Sequence, residues 1–143
     1  MSSANYQKIA DKMITLEMQS IKNLKSNPMI KGIGFGHFLI LMLLNERGEM
    51  PMNQLSAFLQ ICKPNLTPII DKLIDKDLVK RERNFQDRRI VNCSLTTKGK
   101  KLCSKYKNYW MQKFETMFPG ISDEQTENIL LLINNLSIMY GKI

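Results

Sequence analysis

Between residues 63 and 98 lie side chains suited to one kind of chemistry, the grip of a polyanion: Lys63, Asn65, Thr67, Lys72, Arg83, Arg88, Arg89 and Lys98. Lysine and arginine neutralise phosphates, while asparagine and threonine offer hydrogen bonds and a methyl group to base edges. The charge is local. Residues 60–113 carry 14 Lys and Arg against 5 Asp and Glu, a balance of +9, and the rest of the 143-residue chain carries 7 against 8. So concentrated a field supplies the sequence-independent part of nucleic-acid affinity. It would also suit an anionic membrane surface, so the decision rests on how the cations are arranged.

Catalytic and metal chemistry find little to work with. The chain has one histidine, His37, no clustered carboxylates and no nucleophile motif. Gly32-Ile33-Gly34-Phe35-Gly36 hints at a nucleotide loop, but no strand precedes it and no phosphate-binding lysine pattern follows. Neither a cofactor nor a metal site is expected. Cys62, Cys93 and Cys103 cannot all pair and lack Cys-x-x-Cys spacing, and residues 1–8 lack a secretory apolar segment. The longest apolar run, Phe38 to Leu44, is too short to span a bilayer. A cytoplasmic chain with reduced thiols and no membrane partner is the expectation.

The elements that must position the cations follow from periodicity. Tyr6, Ile9, Met13, Leu16, Ile21 and Leu24 predict a first helix ending before Asn27-Pro28. Phe35 to Arg47 predicts a second helix, apolar on nearly all sides and so buried, stopped by Gly48. Met50-Pro51-Met52 is a short extended piece, and Asn53 is a candidate N-cap for a brief helix to about Leu59. An amphipathic helix then runs from about Asn65 into a basic strand, Val79 to Arg83. Arg89 to Leu95 returns as its hairpin partner with Val91, Cys93 and Leu95 inward. Thr96 is a candidate N-cap for a fifth helix carrying Leu102, Tyr106, Tyr109, Trp110, Phe114 and Met117, broken at Pro119-Gly120. Ser122 and Gln125 have capping-box form and open a last helix with Ile129, Leu132, Ile133, Leu136 and Met139. Helix, strand, basic turn and returning strand is the order of a winged helix-turn-helix. The predicted fold class is mainly α with a small β-wing: a winged helix-turn-helix DNA-binding lobe at about 35–100, plus terminal dimerisation helices at about 3–26 and 97–141, in one domain.

The block from Leu55 to Leu102 resembles the MarR family of bacterial transcriptional regulators. The family's wing pattern, Asp-x-Arg, five residues, Leu-Thr, two residues, Gly, falls on Asp87, Arg89, Leu95, Thr96 and Gly99. Its helix pattern, Asp-x-Leu, four residues, Leu-Val-x-Arg, falls on Asp71, Leu73, Leu78, Val79 and Arg81. Asp77 replaces the family's usual glycine, at a position that commonly needs a positive φ; Phe85 stands where a wing proline is common, and Pro68 where relatives often carry arginine. The base-reading set is therefore thin.

The resemblance implies double-stranded DNA as partner, a homodimer on a pseudo-palindromic operator, and a ligand-responsive repressor. Asp87 then braces the wing through Arg89, and Arg88 or Arg89 enters a minor groove. Asn65 either reads a base or caps its helix. Lys98, with Lys100 and Lys101, either touches phosphate or is plain surface. A small aromatic or anionic effector would sit among Met13, Phe35, His37, Phe38 and Trp110, unless these are core and interface residues. A winged helix that binds protein is the rival reading, and an enzyme a more distant one.

Overall fold

The computed structural model describes residues 3–30 and 32–140, in two compact units, Met1–Tyr106 and Lys107–Ile143. The first opens with α1 (Ser3–Ser26), a 3-10 turn (Pro28–Ile30) and α2 (Phe35–Arg47). β1 (Met50–Pro51), α3 (Met52–Leu59) and α4 (Lys63–Asp75) follow, then β2 (Val79–Arg83) and β3 (Val91–Leu95). The unit boundary falls inside α5 (Thr97–Met117), and α6 (Asp123–Tyr140) completes the second unit. The last residue of the predicted terminal helix, Gly141, lies outside the described residues, as does the side chain of Met139.

Burial selects the elements. α2 is the central helix, with Phe38, Ile40, Leu41, Leu43 and Leu44 buried. Leu55 of α3 and Leu66, Ile70 and Leu73 of α4 join the same core, closed by Leu78, Val79, Cys93, Leu95 and Cys103. The strands form an antiparallel sheet in the order β1-β3-β2, with Met50 opposite Cys93 and Val79 opposite Leu95. The short extended piece at Met50 is thus a third strand on the wing.

Two predicted caps move. Asn53 lies inside α3, whose N-cap is Pro51 in extended conformation, and its Oδ1 accepts from the neighbouring Gln54 N–H. Asn65 lies inside α4, whose N-cap is Cys62, with Pro64 in the first turn. Proline has no amide hydrogen to leave orphaned and holds the helical φ, so it favours the earlier start. Pro68 then stands inside the helix. On β3 the inward alternation is incomplete: Asn92 is buried beside Cys93, its amide donating to Glu49 at 2.6 Å. The strand begins at Val91, because Arg89 and Ile90 belong to the turn, where the Ile90 amide donates to the Asp87 carbonyl.

Other local readings hold. Gly48 ends α2 at φ 79°, and Asp77 takes φ 56° past the end of α4. Ser122 and Gln125 cap α6 reciprocally.

Candidate nucleic-acid interface

The first turn of α4 presents Lys63 and Asn65 exposed to solvent. Thr67 is half-buried, and its hydroxyl donates back to the Lys63 carbonyl at 3.0 Å. That bond leaves its lone pairs and methyl group for a ligand. Lys72 is exposed further along the same helix. With its capping role gone, Asn65 projects from the N-terminal turns, where a recognition helix meets base edges.

The wing turn is built by side chains that cap its own backbone. Asn84 Oδ1 accepts from the amides of Gln86 and Asp87 at 2.9 and 3.1 Å. Asp87 Oδ1 accepts from the Arg89 amide at 2.9 Å. Asp87 therefore meets Arg89 through the backbone, and the ion pairs among the described residues are Lys80–Glu82 and Arg81–Asp71. Arg83, Arg88 and Arg89 all stand exposed around this turn.

A cleft of about 330 Å³ opens between the start of α4 and the wing, lined in part by Lys63, Thr67, Arg81 and Arg89 with Met52 and Ile90. Three of the predicted contact residues thus share one concave surface. Asn65, Lys72, Arg83 and Arg88 are exposed but do not line it.

Arg81 was legible only as part of a motif, with no role attached. Its guanidinium reaches Asp71 at 2.8 Å and so ties β2 to the middle of α4. Lys98 has a partner of its own: Nζ donates to the Lys76 carbonyl at 2.7 Å, at the C-cap of α4. The neighbouring Thr96 hydroxyl donates to the Asp77 carbonyl at 2.7 Å and accepts from the Gly99 amide at 3.0 Å. The C-terminus of α4 is therefore held by the first turn of α5. A cation at a helix C-terminus also satisfies the dipole there.

The residues offered for an effector divide. Phe38 is core, packed edge-on against Tyr106 with ring centroids 4.6 Å apart. Met13, Phe35 and His37 are half-buried. Burial, then the positive charges of Lys72 and Lys76, hold the His37 imidazole below its usual pKa. Trp110 belongs to the second unit, where its ring lies 5.9 Å from that of Phe114. Cys62 is exposed at the N-cap of α4; Cys93 and Cys103 are buried, and burial pushes both thiols up. Among the described residues no His, Cys, Asp and Glu cluster could hold a metal, and no helix is long and apolar enough to cross a membrane.

Residues 36–91 match the model of the MarR family. The chain is 24% identical over 118 residues to the HTH-type transcriptional regulator YpoP of Bacillus subtilis, covering 82% of this chain and 84% of that one. Its fold matches a MarR transcriptional regulator from Methanosarcina mazei at 30% identity and a TM-score of 0.67, across 94% of this chain and 96% of that one. It also matches Streptococcus pneumoniae FabT, crystallised in complex with DNA, at 23% identity and a TM-score of 0.75, across 96% and 98% of the two chains. With both sequence motifs seated on the helix and wing they predict, the chain belongs to the MarR family of DNA-binding transcriptional regulators.

Proposed function

We propose that the chain works as a homodimer that binds a pseudo-palindromic operator in double-stranded DNA and represses transcription by occupying it. The observation that carries this reading is the convergence of Lys63, Thr67, Arg81 and Arg89 on one cleft between recognition helix and wing. Lys63, Asn65, Thr67 and Lys72 act from α4, and Arg83, Arg88 and Arg89 act from the wing. The DNA complex of FabT supports the same use of the fold.

Dimerisation accounts for the apolar side chains left in water. Tyr6, Ile9, Leu16 and Ile21 on α1, Met111 and Phe114 on α5, and Leu130 to Ile133 on α6 are all exposed in a single protomer. Apolar surface on that scale marks an interface. A small aromatic or anionic effector, held near Met13, Phe35 and His37, would act by shifting the spacing of the two recognition helices.

The test is selection of bound duplexes from random DNA by the purified protein. The expected result is an inverted repeat with half-sites about one helical turn apart, bound with an affinity that falls steeply with salt. Selected sequences without symmetry would remove the dimeric operator. Failure to bind any duplex at low salt would favour the protein-binding winged helix instead.

A further inference from the structure

We propose that Phe85 is the apolar part of the wing's grip on DNA, its ring seated in the minor groove among the wing arginines; this rests on the DNA-binding reading above. Phe85 is 100% exposed, whereas the next most exposed large apolar side chain among the described residues, Met18, reaches 69%. Single exposed apolar residues need no special account. This one differs in its mounting. It stands at the tip of a turn fixed by Asn84 Oδ1, which accepts from Gln86 and Asp87, and by Asp87 Oδ1, which accepts from Arg89. The Asn84 amide also donates to the Ile90 carbonyl at 2.9 Å, which closes the loop behind the ring. The ring is thus held out into water by a fixed backbone and has two side-chain torsions to lose on contact.

Charge decides what covers it. Arg83, Arg88 and Arg89 stand exposed on the same hairpin end. An apolar protein groove would have to strip water from three guanidinium groups to reach the ring, at high cost. A DNA groove offers phosphates to the guanidinium groups and sugar and base surface to the ring. Proteins that enter the minor groove combine arginines with apolar wedges in this way. The major groove is left to the first turn of α4.

The experiment measures binding to the selected operator across a salt series, with a hydroxyl-radical footprint of each complex. Phe85→Ala should weaken binding about tenfold and leave the salt slope unchanged, because no phosphate contact is lost; Phe85→Leu should keep most of the affinity. Arg88→Ala, the charge control, should lower the slope by about 0.9. Protection of the deoxyriboses bordering the minor groove under the wing should weaken in Phe85→Ala. Wild-type affinity in Phe85→Ala overturns the proposal, as does a slope that falls with the ring's removal or a footprint that does not change. A wild-type protein that binds no duplex overturns the DNA-binding reading itself, and is seen before any variant is made.

Discussion

Lys98 illustrates how one side chain changes meaning once its partner is known. By sequence it is a cation in the first turn of a helix, where it opposes the dipole and invites a phosphate. In the structure its Nζ lies 2.7 Å from the Lys76 carbonyl, a partner at the last turn of α4 that gives it a structural use as well. Lys98→Met keeps the aliphatic stem and removes the donor. It should cost about 1 kcal/mol of stability in denaturant unfolding. A phosphate contact would instead lower the salt slope of DNA binding by about 0.9 on removal, and an unchanged slope is expected here. A lowered slope with undiminished stability would return Lys98 to the set of DNA contacts. Asp87 undergoes a similar shift. Its carboxylate holds the Arg89 backbone amide, so truncating the Arg89 side chain does not strip Asp87 of that partner. Arg88→Ala and Arg89→Ala therefore should weaken binding to comparable extents, about 1–3 kcal/mol each, by gel shift on specific DNA.

At the scale of elements, apolar rhythm made most of the fold legible. The all-round apolar run of α2, the wing strands and the long α5 each announce an element through period and length, and α2 its burial as well. The starts of α3 and α4 were harder: Pro51 in extended conformation takes the N-cap of α3 that Asn53 suggested, and at α4 asparagine's preference for the N-cap competes with proline's for the first turn. At α4, Pro64 won and carried Asn65 into the helix. What sequence could not supply was tertiary approach. Asp71 and Arg81 are ten residues apart and were visible as motif positions, yet only the packing of β2 on α4 makes them a pair. Gly99 is the same kind of case. A Cβ there would overlap the Leu78 carbonyl, where β2 begins. The glycine lets the first turn of α5 lie against the chain leaving α4, which is the approach that gives Thr96 and Lys98 their partners. Backbone cannot yield as a side-chain tip does, so Gly99→Ala should force the two apart and cost about 1–3 kcal/mol. Hydrogen exchange should quicken at the Lys76 to Leu78 amides more than across α2. A variant as stable as wild type, with unchanged exchange there, would show that the junction can relax.

For the whole molecule, the deciding matter is how many copies act together. On the proposed function one protomer would bring few side chains to base edges, Asn65 and Thr67 at the start of α4, with Pro68 inside the same helix. Specificity from so small a set needs a second copy, since linking two half-site contacts makes the second effectively intramolecular and multiplies their affinities. The apolar surface of the terminal helices supplies the means. Leu132 is 63% exposed in one protomer, so it contributes little to the fold of a single chain. Leu132→Asp should therefore leave a folded protein with wild-type helicity while placing a charge in the dimer contact, at a cost of several kcal/mol. Sedimentation at micromolar concentration should find dimer for the wild type and monomer for the variant. The variant should also lose operator binding while keeping its weaker, salt-sensitive affinity for random duplex, because the helix and wing of each copy are untouched. A wild type that sediments as a monomer ends the dimer proposal. A monomeric variant that still binds the full inverted repeat with wild-type affinity would mean that one copy reads its DNA alone, and that the exposed face of α6 serves another partner.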